Sequence, residues 1–183
     1  MIAVHLDEAQ QYYEAYEAYR VMASHALQHG DLETATQYIE HSEQSLVQHL
    51  GYLDAHTPEL ADIRFIKADI ALEKKQLDTA RQLIAMLEFS CNFFPQPENQ
   101  AYCLMLRSKL FQRSGHPDKA NEALNAAQTF IEAMQEPLTH TQLEVKFNFL
   151  AQRIQNDPSL HQELLNTARQ LNNMLFGSGF SSC

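Results

Sequence analysis

The sequence contains few of the residues that interrupt helices or build strands. Its 183 residues include five glycines, six prolines and no tryptophan, and valine occurs only at positions 4, 21, 47 and 145. A fold of many strands and turns needs more breakers and more β-branched residues than these. Alanine, leucine, glutamine and glutamate, which favour helices, are abundant instead. The composition therefore predicts an all-α protein.

Long apolar runs and paired cysteines are lacking as well. No apolar run reaches the roughly 18 residues that span a bilayer, and the start, MIAVHLDEAQ, does not have the charged and apolar regions of a signal peptide. The three cysteines, Cys91, Cys103 and Cys183, form no CxxC pair, and their odd number suits reduced thiols better than a disulfide framework. We therefore expect a cytoplasmic protein whose thiols lie in or near a helical core.

The motifs of common catalytic and cofactor sites are absent from the sequence. It contains no P-loop, GxGxxG, GxSxG or HExxH pattern. His25 and His29 are four residues apart, a spacing that can bind a metal, and His41 or His49 of the next helix could join them. No carboxylate or cysteine accompanies the pair at helical spacing, however. We therefore expect no enzyme, no catalytic residue, no metal site and no cofactor.

The negative charge is concentrated in the first third of the chain. The net charge is -10; residues 1–63 hold eleven acids and a single base, Arg20, whereas residues 64–183 hold twelve acids and twelve bases. An acidic surface repels phosphate backbones and anionic lipids. We therefore expect neither a nucleic acid nor a membrane as the main partner. The simplest interpretation of the acidic part is a solvated face that aids solubility.

Turn residues divide the chain into eight predicted helices. They cover about residues 7–29, 32–50, 58–76, 78–94, 98–114, 117–135, 140–156 and 158–177. Because the links are short, neighbouring helices are expected to be antiparallel and to form four hairpins. We predict one domain over residues 1–176, followed by a flexible tail at 177–183.

One turn recurs within the first three hairpins. The segments GDLETA, KQLDTA and GHPDKA follow one another at spacings of 45 and 40 residues, and each ends in alanine. A second small residue stands twelve positions earlier, which gives the pairs Ala23–Ala35, Ala68–Ala80 and Ser108–Ala120. Small residues at matched depth allow two antiparallel helices to approach closely, so the pattern predicts a repeated helical hairpin.

A tandem hairpin with this small–turn–small pattern resembles the tetratricopeptide repeat (TPR) superfamily. The resemblance covers residues 7–135 well and 139–176 poorly, since Phe149 and His161 occupy the places of the small residues in the last hairpin. The repeat exceeds the usual length of roughly 34 residues, so the chain is similar to a divergent member with a longer repeat. The resemblance implies a right-handed α–α superhelix of about four antiparallel hairpins. A plain helical bundle is the alternative.

The third helix has the pattern expected of a helix that packs on two sides. One apolar flank consists of Ile63, Ile66 and Ile70, and the other of Ala61, Phe65, Ala68 and Leu72. Between the flanks lie an acidic strip, Asp62, Asp69 and Glu73, and a basic strip, Arg64, Lys67, Lys74 and Lys75.

The resemblance also implies a groove that holds a partner. Its lining positions, carried over through the aligned alanines, are Glu17, Arg20, Ser24, Asp62, Phe65, Asp69, Tyr102, Met105, Lys109, Arg113 and Lys146. Such a groove grades from acidic to basic, with Phe65, Tyr102 and Met105 as its apolar floor. This surface suits an extended or helical peptide whose charges fix its direction.

Three functional hypotheses follow. The first is a non-enzymatic scaffold or adaptor, of a regulatory or chaperone type, that binds a protein or peptide in the groove. The second is a ligand-sensing regulatory domain that changes its curvature when a peptide or small molecule binds. The third is a structural homo-oligomer, such as a homodimer, in which the acidic first hairpin of one copy meets the basic strip of another.

Overall fold

A computed structural model describes residues 2–53, 57–93, 95–154 and 157–176. Its helices are α1 (Ile2–Gln28), α2 (Leu32–Leu50), α3 (Pro58–Glu73), α4 (Leu77–Phe93), α5 (Pro97–Arg113), α6 (Pro117–Glu132), α7 (His140–Arg153) and α8 (His161–Phe176). Within these ranges all regular structure is helical, which confirms the predicted all-α class. The predicted tail and Cys183 lie outside the described residues. No helix in the described ranges combines the length and apolarity needed to cross a bilayer.

The helices pack against their neighbours in the chain. The contacts join α1 to α2, α3 to α4 and α7 to α8, and further contacts join α2 to α3 and α6 to α7. The chain divides into two compact units. The first is Met1–Phe94 with Arg113–Gly115, and the second is Pro95–Gln112 with His116–Cys183.

The recurring turn has the same backbone conformation in all three hairpins. Gly30, Lys75 and Gly115 adopt left-handed φ angles of 76°, 59° and 78°. After each of them, an N–H group bonds to the carbonyl five residues earlier: Asp31 to Ala26, Gln76 to Ala71, and His116 to Phe111. This hydrogen bond is one of the pair that defines the Schellman ending of a helix. The predicted repetition of the turn is therefore present, although glycine marks only two of its three positions.

The small residues on either side of these turns are buried. Ala23, Ala35, Ala68 and Ala80 have no exposed surface, and Ser108 and Ala120 are 3% and 6% exposed. In the first hairpin, the buried hydroxyl of Ser42 also donates to the carbonyl of Tyr16 across 2.9 Å. A short hydrogen bond of this kind requires α1 and α2 to lie close together, and the small side chains permit that approach.

Helix α3 is packed on two sides, as its sequence predicted. Ile63, Ile66 and Ile70 belong to one buried cluster with residues of α1 and α2. The second predicted flank is also buried at Phe65, Ala68 and Leu72, and α3 also contacts α4. The basic strip of α3 bonds to α2: Lys67 bonds to Glu43 at 2.6 Å, and Lys74 bonds to the Thr36 hydroxyl at 2.8 Å.

Several helix ends lie at the capping and turn residues that the sequence predicts. Asp31 accepts a hydrogen bond from the Thr34 N–H at 3.1 Å, and Gly51 ends α2 in the left-handed conformation. At residues 158–160 the chain forms a 3₁₀ turn before α8, where the sequence predicted an α-helix. The capping box of Thr139 and Gln142 at the start of α7 was not recognised in the sequence.

The second unit has its own core, built from α5, α6 and α7. Its buried members include Met105, Leu124, Leu143 and Phe149, with residues of α8 packed against them. Phe149 is 5% exposed, whereas His161 is exposed at the start of α8. The last hairpin therefore departs from the small–small arrangement, as its sequence indicated.

Candidate functional site

The residues predicted to line a groove are divided between the two units. The first unit contains Glu17, Arg20, Ser24, Asp62, Phe65, Asp69 and Arg113, and the second contains Tyr102, Met105, Lys109 and Lys146. In the first unit, α1 and α3 contact each other. Three of the predicted residues interact there, namely Glu17 and Arg20 of α1 and Asp62 of α3.

Glu17, Arg20 and Asp62 form a group, called here the Arg20 cluster. Glu17 and Arg20 are one turn apart on α1, and an Arg20 Nη2 hydrogen donates to Glu17 Oε2 across 3.2 Å. The side chains of Arg20 and Glu17 are 29% and 42% exposed. The Nε group of Arg20 is enclosed and makes no hydrogen bond to the described part of the chain. The exposed parts of Glu17 and Arg20 therefore offer charged surface for contact with another molecule, whereas the enclosed Nε group does not.

Burial and the neighbouring charges together shift the pKa values in the cluster. Burial raises the pKa of Asp62; the charge of Arg20 opposes this shift, and the charges of Glu17 and Glu59 add to it. Burial would lower the pKa of Arg20, but the hydrogen bond and charge of Glu17 and the charge of Asp62 together raise it. Arg20 is thus a permanent cation beside Glu17 and Asp62, and Glu59 interacts with Asp62.

Tyr16 anchors the cluster to both helices. It is fully buried, and its hydroxyl lies 3.5 Å from the Glu59 carbonyl oxygen, to which it donates. Burial, reinforced by the charge of Asp62, raises the pKa of Tyr16. The phenol therefore stays neutral and serves as a structural donor between α1 and α3.

Three of the predicted residues in the first unit take part in its internal packing or hydrogen bonding. Phe65 and Asp69 are 5% and 6% exposed, so they are part of the packed interior of the unit. Arg113 donates to the Leu72 carbonyl at 2.6 Å and pairs with Glu73 at 2.7 Å. A cation at this position stabilises the carbonyl end of α3, where the helix dipole is negative. Ser24 is partly exposed on α1.

The predicted residues of the second unit also differ in accessibility. Met105 is 1% exposed and lies in the core, so a partner cannot contact it without opening that core. Tyr102 packs partly against the same cluster, and Lys109 is partly exposed. Lys146 of α7 forms an ion pair with Glu163 of α8 at 3.1 Å. Accessible surface is therefore retained at Tyr102, Lys109 and Lys146.

The histidines considered for metal binding contact aromatic rings and a backbone carbonyl. The rings of His25 and His29 are 4.2 Å apart, and the Nδ1 atom of His29 lies 2.9 Å from the His25 carbonyl oxygen. His41 packs on Tyr19, and His49 packs on Tyr13. No group of three metal-ligating side chains occurs in the part of the chain that the structure describes. The thiols of Cys91 and Cys103 are buried, as predicted.

A cavity of about 180 Å³ in the second unit was not predicted from the sequence. Its lining comes from α6, α7, the 3₁₀ turn and the start of α8. A second cavity, of about 120 Å³, lies beside Ser108 and Gln152. The first combines apolar and charged side chains, whereas the lining of the second carries no ionisable group. Neither has a sequence signature, because the lining residues are far apart in the chain.

Comparisons with models of protein families, with curated proteins and with solved structures gave no match. Helices packed in neighbouring pairs are compatible with a helical-repeat fold.

Proposed function

We propose that the protein is a non-enzymatic scaffold that binds a protein or peptide partner on a TPR-like array of helical hairpins. The array would be a right-handed superhelix of about four hairpins. The observation that carries this proposal is the Arg20 cluster, where the first helices of two successive hairpins meet and present partly exposed charged side chains. The turn that occurs three times along the chain, and the buried small residues beside it, support the repeat architecture.

The chemistry of the cluster favours a basic segment of the partner. Arg20 is accompanied by three acids, Glu17, Glu59 and Asp62, and the first third of the chain holds eleven acids and one base. Such a surface attracts lysine and arginine side chains and repels acidic ones. The attraction between exposed charges weakens as salt shortens the Debye length, about 10 Å at 0.1 M salt. We therefore expect partner binding to weaken with added salt.

The experiment begins with affinity purification of the tagged full chain from its native host and identification of co-purifying proteins. Each candidate is then titrated into wild-type protein and into two variants with the same change of charge. Glu17→Lys alters the cluster on α1, and Glu40→Lys alters an exposed position on α2. We expect Glu17→Lys to weaken binding by about tenfold or more, and Glu40→Lys to change it by less than about threefold.

Equal effects of the two variants would mean that the overall negative charge, not the Arg20 cluster, attracts the partner. A partner that binds the Glu17→Lys variant with wild-type affinity would rule out this surface as the binding site. Circular dichroism of both variants establishes that neither charge change unfolds the helices.

A further inference from the structure

The cavity of about 180 Å³ in the second unit has an apolar floor. The floor is formed by Ile131, Phe149, Leu150 and Leu160, of which Phe149 and Leu150 are buried. All four belong to the core cluster of the unit or pack against it, so the floor is held in place by the core. Sites for drug-sized ligands measure about 300–1,000 Å³. This smaller cavity suits a molecule the size of a single amino acid.

An arginine that is hydrogen-bonded to a neutral amide lies beside this floor. The Arg153 Nη1 group donates to the side-chain oxygen of Asn125, a neutral amide. Within the described residues, Arg153 forms no ion pair; the Asp157 carboxylate, whose pKa is lowered by its hydrogen bonds to Ser159 and also by the charge of Arg153, is bonded to Ser159 instead. Lys146, the other base of the cavity, is instead paired with Glu163 at 3.1 Å. Arg153 therefore remains available to bind a carboxylate, and its planar guanidinium can do so through two hydrogen bonds.

The carboxylates around the cavity are not equivalent. Asp157 accepts from the Ser159 N–H at 3.1 Å and from the Ser159 hydroxyl at 2.6 Å, and Glu163 is paired with Lys146. Within the described residues, the one hydrogen bond to the Glu132 side chain comes from a neutral amide, the Gln128 Nε2 group, at 2.7 Å, and the Glu132 side chain is exposed. Among the described acids of this cavity, Glu132 is thus the one best suited to bind an ammonium group.

We propose that this cavity binds a free α-amino acid with an apolar side chain. The ligand carboxylate binds Arg153, the ammonium group binds Glu132, and the side chain packs on Ile131, Phe149 and Leu150. A zwitterion matches both charges without adding net charge to the site. The proposal concerns the second unit alone and does not depend on peptide binding at the Arg20 cluster.

The test is a titration calorimetry series with the full chain. L-leucine, L-valine and L-phenylalanine are compared with two leucine analogues: isocaproate, which lacks the ammonium group, and isoamylamine, which lacks the carboxylate. We expect saturable one-to-one binding of at least one amino acid at millimolar or lower concentrations. Loss of either charged group is expected to weaken binding by about tenfold or more, since hydrogen bonds to charged groups contribute strongly.

Two variants and a matched control locate the site. Arg153→Gln is expected to weaken amino-acid binding by about tenfold or more. Glu132→Gln, at an exposed position, is expected to abolish the preference for leucine over isocaproate. The control is Arg169→Gln on α8, because Arg169 also contacts a neutral amide, that of Asn166, but does not line the cavity. We expect this control to bind like wild type.

The proposal is overturned if none of the three amino acids gives saturable binding at millimolar concentrations. It is also overturned if Arg153→Gln and Glu132→Gln both bind the amino acid as wild type does. Should Arg153→Gln fail to fold, the exposed Glu132→Gln variant and the two analogues still decide the outcome.

Discussion

Lys67 of α3 bonds to Glu43 of α2 across 2.6 Å, and both side chains are about two-thirds shielded from solvent, at 27% and 33% exposure. This pair joins the basic strip of α3 to the acidic first hairpin within one chain. Lys74 adds a second link, to the Thr36 hydroxyl of α2. The charge complementarity that suggested contact between two copies is thus partly satisfied inside a single molecule.

Reversing the charge of Lys67 is expected to destabilise the first unit. Lys67→Glu places a second carboxylate beside Glu43, and we expect a loss of about 1 kcal/mol in the free energy of unfolding, measured by urea denaturation. The double variant Lys67→Glu with Glu43→Lys restores an opposite pair and should recover most of the loss. If the double variant is less stable than the sum of its single changes, the pair does not act as a direct ion pair.

The same pair leads to an expectation about oligomeric state. Lys67 and Lys74 already have partners within the chain, and we expect these internal contacts to compete with the acidic hairpin of a second copy, although Lys74 and Lys75 keep exposed surface. We expect light scattering to give the mass of one chain, 21.0 kDa, at both low and high salt. A dimer at low salt that dissociates as salt rises would support the homo-oligomer hypothesis instead.

Lys75 is predicted to lower the stability of the protein, relative to glycine, because of its position in the turn between α3 and α4. It adopts a left-handed φ of 59°, where Gly30 and Gly115 stand in the equivalent turns. A side chain at such a φ costs about 1 kcal/mol relative to glycine. We expect Lys75→Gly to raise the free energy of unfolding by roughly 0.5–1 kcal/mol. Lys75→Ala is the control, since it removes the charge but keeps a Cβ atom, and it should give no such gain.

The repeated turn was predictable from the sequence because its signals are local. Glycine at positions 30 and 115 marks the left-handed residue, and the alanines that follow at fixed distance mark the close approach of the helices. The turn at Lys75, the second along the chain, is indicated only by the spacing of the alanines, since lysine is not a signal for positive φ. Helix boundaries and the two-sided packing of α3 depend on the same short-range patterns.

The candidate sites were less predictable because depth of burial depends on packing between helices. Alignment through the alanines placed Asp69 and Met105 on the face of a groove, yet both are buried, at 6% and 1% exposure. It did bring Arg20 and Asp62 into one neighbourhood, because α1 and α3 contact each other. The cavity beside Arg153 has no local pattern, since its lining comes from four separate elements.

The small residues beside the turns are expected to tolerate little added volume. Ala80 has no exposed surface, and Leu at this position would have to displace α3 from α4. Overpacking of a dense interior usually costs about 1–3 kcal/mol, so we expect Ala80→Leu to lower the free energy of unfolding by at least that amount. Ala85→Leu on the exposed face of the same helix is the control and should change stability by less than about 0.5 kcal/mol. Equal effects would show that Ala80 is not a close-packing position.

Asp62 gives the first unit a pH-dependent stability. Burial, the largest cause, raises the pKa of Asp62 above its value of about 3.9 in an unfolded chain. The folded protein therefore holds this proton more tightly than the unfolded chain does. Below both pKa values the carboxyl is protonated in both states and its charge costs nothing. As the pH rises through the unfolded pKa and then the folded pKa, ionisation of the partly buried carboxylate destabilises the folded state.

Replacing Asp62 with asparagine removes this destabilising charge. We expect Asp62→Asn to be more stable than wild type at neutral pH, and the difference to shrink towards zero as the pH falls to about 4. Urea denaturation at a series of pH values measures it, with Glu40→Gln, at an exposed position of α2, as the control for general loss of negative charge. If Asp62→Asn is instead less stable at neutral pH, the attraction between Asp62 and Arg20 outweighs the effect of burial. Asp62 would then be a stabilising partner of the partly buried Arg20 cation.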